Sequence, residues 1–120
     1  LERLMRAGAG SNKRKPFGEL FFDGTFGNPL EPGGPYFIPL EMVRLAPSSN
    51  NSQPWRAVID GSNVHFYYIC KSHLTDIDMG IALCHFELGC RERGIAGHYT
   101  VLENITPSND KHYLISRVEN

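Results

Sequence analysis

Ser48, Ser49, Asn50, Asn51, Ser52 and Gln53 set hydroxyl and carboxamide side chains in one unbroken run, closed by Pro47 on one side and Pro54 on the other. Each of these groups both donates and accepts hydrogen bonds, so the run suits a planar heteroaromatic ligand whose edge alternates N–H and C=O. The prolines shape it. Neither donates a backbone hydrogen bond, and each turns the residue before it, Ala46 or Gln53, away from the helical region. The expected result is a short polar loop, extended at both ends, with Trp55 plugging its exit into a core. The plain alternative is an ordinary turn, since Ser, Asn and Pro are what turns use.

Other chemistry is thinner. Cys84-His85 and Cys90 invite a metal, but six residues on a helix put the two cysteines on different faces, so no metal site is expected. A cysteine nucleophile needs a lowered thiol pKa and a positioned base, and the sequence offers neither; Cys70, Cys84 and Cys90 read as core thiols. Asp76 and Asp78 stand at a helix start, where interaction with the helix dipole is the simpler account than paired acid–base catalysis. His65 reads as a satisfied strand residue. No phosphate loop, Gly-x-Gly-x-x-Gly or Gly-x-Ser-x-Gly occurs, and no catalytic residue is nominated.

The elements that hold the loop follow from periodicity. From Tyr36 to Leu45, apolar Leu40, Val43 and Leu45 with charged Glu41 and Arg44 suit a helix, Pro39 being tolerated in its first turn, and Pro47 stops it. Residues 56–60 and 64–70 read as strands joined at Asp60-Gly61, a hairpin signal. In the second strand Val64, Phe66, Tyr68 and Cys70 share one face, and His65, Tyr67 and Ile69 the other. Both faces look buried, as in a sheet sandwiched by helices.

Thr75 or Asp76 is expected to cap a helix over 77–93 that ends at Gly94. Ile77, Ile81, Cys84 and Leu88 form its stripe, and Met79, Ala82, Leu83 and Phe86 widen it until the helix is apolar nearly all round, as for one packed on more than one side. Gly80, Ala82 and Gly89 permit close approach by another helix or a ligand. Two further strands are predicted at 98–104 and 112–118, parted by Thr106 to Asp110. Phe17 to Phe22 anchor an irregular loop over 23–35. The fold class is α+β: a mixed or antiparallel sheet of about four strands, packed with helices around a long central helix.

The run Ala46-Pro47-Ser48-Ser49-Asn50-Asn51-Ser52-Gln53-Pro54-Trp55 resembles the signature of the FMN-dependent nitroreductase family, close to Ala-Pro-Ser-Ser-x-Asn-x-Gln-Pro-Trp followed by a strand. The resemblance extends to the long helix and the turn Arg93-Gly94-Ile95-Ala96-Gly97, and to Glu19-Leu20-Phe21-Phe22, which is similar to the segment leading into the second half where two related halves share one chain. It implies a nitroreductase-like half domain over 17–120, the C-terminal half of a two-half fold, behind a linker over 1–16. It also implies that Pro47, Ser48, Ser49 and Asn51 lie against the flavin. Gln53 is counted in the same cofactor-binding set, and Gln53 and Trp55 also serve as supporting structure.

The activity implied is an NAD(P)H oxidoreductase in which FMN is reduced by NAD(P)H and then passes electrons to a nitroaromatic or quinone-like acceptor. Because the cofactor brings its own reactivity, the lack of an acid–base pair does not count against an enzyme. The family's Arg-rich phosphate motif is absent from these residues, and its flavin sites form between two halves. A missing N-terminal half or a second copy is therefore the expected partner, a homo-oligomer in the latter case, and the fragment alone is expected to be inactive. The alternatives are a non-catalytic flavin or small-ligand binding module, or an interaction domain of the same fold.

Size and charge agree with a single small domain. The chain has 120 residues with 12 basic and 13 acidic side chains and a net charge of −1, which gives no general attraction for nucleic acid or an anionic membrane. Lys13, Arg14 and Lys15 read as a solvated face rather than a phosphate site. Three cysteines without metal spacing, no membrane-length apolar run and no signal region point to a soluble cytoplasmic protein. Starting at Leu1 and mid-pattern, with Leu1, Leu4 and Met5 at helical spacing, the chain reads as a piece of a longer one.

Overall fold

The computed structural model describes residues 13–105 and 108–120. The linker expected over 1–16 therefore lies mostly outside the described residues, as do Thr106 and Pro107 of the last predicted turn. Elements run in the order α1 (Phe17–Leu20), β1 (Phe21–Asp23), α2 (Phe37–Arg44), a 3-10 turn (Ser49–Asn51), β2 (Trp55–Asp60), β3 (Asn63–Tyr68), α3 (Thr75–Glu92), β4 (Gly97–Thr100) and β5 (His112–Glu119).

The strands form one five-stranded sheet in the order β1-β2-β3-β5-β4. β1 lies parallel to β2, Phe22 opposite Val58, and the remaining pairs are antiparallel. The β2–β3 hairpin forms where Asp60-Gly61 called for it: Asp60 pairs with Asn63, and Gly61 takes the left-handed φ of 62° that a side chain resists. The sheet thus has one strand more than expected. Three residues are too few to show a period of two, which is why β1 read only as an apolar anchor.

One sheet face carries the main core. Trp55, Ala57, Val64 and Phe66 meet Leu40 and Val43 from α2, Ala46 just beyond it, and Met79, Ala82, Phe86 and Cys90 from α3. Phe86 packs edge-on to Phe66 at 5.0 Å and stacks on Tyr36 at 5.8 Å, so it ties both helices to the sheet. The other face is covered differently from expectation. Loops rather than helices close it, with Phe26 and Ile105 packed on Phe22, Val58 and Tyr67.

The long helix also departs from the predicted pattern. Its buried row is Thr75, Asp78, Met79, Ala82, Phe86, Gly89 and Cys90, whereas Ile77 is 61% exposed, Leu88 53% exposed and Cys84 exposed. Three of the four predicted stripe residues thus face outward, and Ile81 alone is half-buried against the core. Nor does Thr75 cap the helix: its hydroxyl accepts the Lys71 and Ser72 N–H groups at 3.1 and 3.2 Å, tightening the turn before it. Of the three cysteines, only Cys90 is in the core, and burial pushes its thiol up to about 11.

Candidate functional site

The loop between α2 and β2 is more highly wired than a connecting turn requires. α2 ends at Arg44 because Ala46-Pro47 cannot continue it, and Trp55, fully buried, begins β2. Between them Asn50, Asn51 and Gln53 take positive φ values of 50°, 55° and 47°. Asparagine tolerates that region; glutamine does so at a cost. Gln53 was expected to be extended ahead of Pro54. Hydrogen bonds on all four of its polar groups outweigh that preference. Its N–H donates to Ser48 Oγ at 2.9 Å, and its carbonyl accepts Arg56 Nη1 at 2.8 Å. Its Oε1 accepts the Lys15 N–H at 2.7 Å, and its Nε2 donates to the Asn51 carbonyl at 3.1 Å.

Asp78 supplies the second clasp. Only 2% exposed on the first turns of α3, it accepts the Ser49 N–H at 2.9 Å and the Ser49 hydroxyl at 3.0 Å on Oδ1, and the Ser52 hydroxyl at 3.3 Å on Oδ2. A buried carboxylate needs such donors, and the loop needs such an acceptor, so each fixes the other. The dipole account of Asp78 missed this. The available signal was its place on the helical row of Ala82, Phe86 and Gly89: a carboxylate on a core-facing row implies donors opposite it.

The five nominated residues therefore come together on one ledge, with unequal freedom. Ser48 and Gln53 are buried and turned into the chain, and Ser49 spends its hydroxyl on Asp78. Pro47 and Asn51 are half-buried, and Asn50 at the apex is exposed. Asn51 Nδ2 donates to the Lys13 carbonyl at 2.7 Å, while its Oδ1 has no donor among the described residues.

The basic segment at 13–15 is not simply solvated. Its backbone straps the loop, and Arg44, gripped by Glu41 at 2.6 and 2.8 Å, reaches the Lys15 carbonyl at 3.4 Å. Burial, together with the charge of Arg44, holds the Arg14 guanidinium below its usual pKa, so two cations lie close together beside the ledge.

Two cavities among the described residues lie away from the loop. One of about 600 Å³ opens on the loop-covered sheet face, lined by Phe26, Val58, Asp60, His65, Tyr67 and Asn104 among others. Next to it His65 Nδ1 lies 2.6 Å from Ser116 Oγ, and Asp60 Oδ2 lies 3.6 Å from Nε2. The trio looks like a nucleophilic triad and cannot act as one, because Ser116 is fully buried and its hydroxyl also pairs with Tyr113 at 2.7 Å. Another cavity, of about 400 Å³, sits at the C-terminal end of α3, beside Arg117, whose guanidinium holds Glu87 at 2.9 Å and the Ile95 carbonyl at 2.7 Å. Neither of these two cavities is lined by residues of the polar loop.

Residues 38–90 match the family described as "Putative TM nitroreductase". That stretch runs from α2 through the ledge and the hairpin to Cys90, so it contains both the loop and the carboxylate that clasps it. A solved structure titled a "putative nitroreductase" from Thermotoga maritima superposes with a TM-score of 0.61 at 24% identity, over 90% of this chain and 42% of its own. The chain thus spans less than half the length of that protein. The structural likeness shows the fold, a mixed α+β arrangement like that of the solved protein, and the family match covers the ledge and the helices beside it. No curated protein sequence matches. Among the described residues no helix is long and apolar enough to cross a membrane.

Proposed function

We propose that residues 17–120 form one half of a cytoplasmic, FMN-dependent NAD(P)H oxidoreductase that reduces nitroaromatic or quinone-like acceptors. The observation that carries this reading is the ledge at 47–53. It lies within the family match, and it keeps three non-glycine residues at positive φ by means of bonds from Asp78, Ser48 and Lys15. Non-glycine backbone held in that region costs about 1–3 kcal/mol per residue, and such residues cluster at ligand sites more than in plain connections.

The group would rest on Pro47, on the backbone of 48–50 and on Asn51, whose unpartnered Oδ1 has the acceptor chemistry that the imide N–H of a flavin requires. When bound, FMN supplies the two-electron chemistry. The protein's own part is to fix the ring: Asp78 and Gln53 hold the ledge rigid, and Trp55 anchors it to the core. Arg14 places positive charge alongside, suited to an anionic cofactor, while the charge of Arg44 is offset by Glu41. The second half of the site would come from another half of like fold, either an upstream segment or a second copy.

The internal bonding of Ser48 and Ser49 favours a second reading, a module that binds flavin without turnover. Flavin fluorescence and absorbance on titration with the protein separate the two. Saturable binding, weakened by Asn51→Ala and bleached by NADPH, is the expected result. Binding without bleaching supports the module, and a flavin that stays free at all protein concentrations, with or without the second half, overturns both.

A further inference from the structure

We propose that the cavity on the loop-covered sheet face binds a neutral, hydroxyl-rich ring, a pentose or hexose, between His65 and Asp60. The inference goes beyond the oxidoreductase reading and requires no flavin, because the cavity lies on the face of the sheet away from α3 and the ledge that α3 clasps.

Strand register builds the site. Phe22, Val58, His65 and Ser116 stand directly opposite one another on β1, β2, β3 and β5, so one row across the sheet passes from apolar to polar side chains. Tyr67, two residues beyond His65, shares their face, and its ring is held edge-on by Phe26 at 4.7 Å and Tyr113 at 5.7 Å. His65 is 6% exposed and Ser116 fully buried. Only one direction of hydrogen bonding gives every hydroxyl proton here an acceptor among the described residues. The Leu102 N–H donates to Tyr113 Oη at 3.0 Å, Tyr113 donates to Ser116 Oγ at 2.7 Å, and Ser116 donates to His65 Nδ1 at 2.6 Å. Nδ1 is thus the acceptor, and neutral His65 carries its proton on Nε2.

The Nε2 edge faces the cavity, because Asp60 beside it lines the same space. Nε2 has no hydrogen-bond partner among the described residues, since Asp60 Oδ2 at 3.6 Å is too far for one. A donor left over on a buried ring, with a carboxylate across a gap, suits a hydroxyl, whose oxygen accepts from Nε2 and whose proton goes to Asp60. Charged ligands fit less well. An ammonium has no lone pair for His65, and the Lys111 ammonium already lies over the Phe26 ring at 5.1 Å, while an anion meets the like charge of Asp60. The walls extend the preference to several hydroxyls, since the Thr25 and Asn104 side chains line the cavity without a hydrogen bond to another described residue. Val58 and Tyr67 supply an apolar floor for the C–H face of a ring, and about 600 Å³ lies within the range of small-molecule sites.

Proton–nitrogen correlation spectra of the histidine rings, recorded on the 120-residue chain without flavin, test both steps. Before any ligand is added, His65 should show the Nε2–H tautomer. Titration with a panel of free pentoses and hexoses should shift the His65 ring signals saturably with at least one of them, and added FMN should not compete. Asp60→Asn keeps an acceptor without the charge and should weaken that binding severalfold, and Asp60→Ala should weaken it about tenfold or more. Both variants should melt as the parent does, since the Asp60 side chain is exposed and Gly61 sets the turn. His65 signals that no sugar moves, an Nδ1–H tautomer, sugar binding that Asp60→Ala leaves unchanged, or phenol or choline binding where sugars do not bind overturns the proposal.

Discussion

Gly89 and Gly80 lie nine residues apart on one helix and face opposite worlds. A Cβ on Gly89 would stand 2.7 Å from the Pro39 Cα and 3.1 Å from Met42 Sδ, whereas a Cβ on Gly80 would meet nothing within 4 Å. The same residue type is crowded on the inner row, where it lets α2 close on α3, and bare on the outer row. Apolar residues show the same division: Phe86 is fully buried, and Leu88, two positions on, is 53% exposed. A helix that is apolar on both sides therefore has one core face and one open face, and the neighbours, not the volume or hydrophobicity of its own residues, distinguish them.

The widest separation between the two faces should come from truncating those neighbours. Phe86→Ala removes the ring that links Phe66 to Tyr36 and should cost about 3–5 kcal/mol, as for other buried aromatics. Leu88→Ala, measured by denaturant unfolding of the dilute monomer, should stay within about 0.5 kcal/mol of the parent, as surface substitutions do. Similar losses at both positions would mean that the outer row is already covered within one chain, and the contrast between the faces would vanish.

Much of the fold is legible in the residues. Pro47 and Pro54 bracket the loop, Asp60-Gly61 marks the hairpin, and Gly94 follows the end of the long helix. The core row of α3 is not legible, because Ile77, Ile81 and Leu88 are as apolar as Met79, Ala82 and Phe86, and only the position of α2 and the sheet decides between them. The candidate site is legible as a location and not as a wiring diagram. Ser48, Ser49 and Gln53 have the chemistry to meet a ligand and the same chemistry to satisfy one another. A side chain with two possible partners shows its choice only when Asp78, from 29 residues further on, arrives beside it.

Gly89→Ala should show a smaller effect with two opposed parts. Crowding against the Pro39 backbone costs about 1–3 kcal/mol, since overpacked sites must shift backbone as well as side chain. Removing a mid-helix glycine returns about 0.5–1 kcal/mol. The net should be a loss of about 1 kcal/mol.

Gly80→Ala, unfolded in denaturant at concentrations where the chain is a monomer, makes the smallest change and isolates one part of that balance. With nothing near the new methyl, only the backbone entropy of the unfolded chain changes, so stability should rise by about 0.5–1 kcal/mol. Subtracting this gain from the Gly89→Ala result gives the packing cost of the α2–α3 contact alone, with helix propensity cancelled. A loss at Gly80 would show that the outer row meets something in the isolated chain.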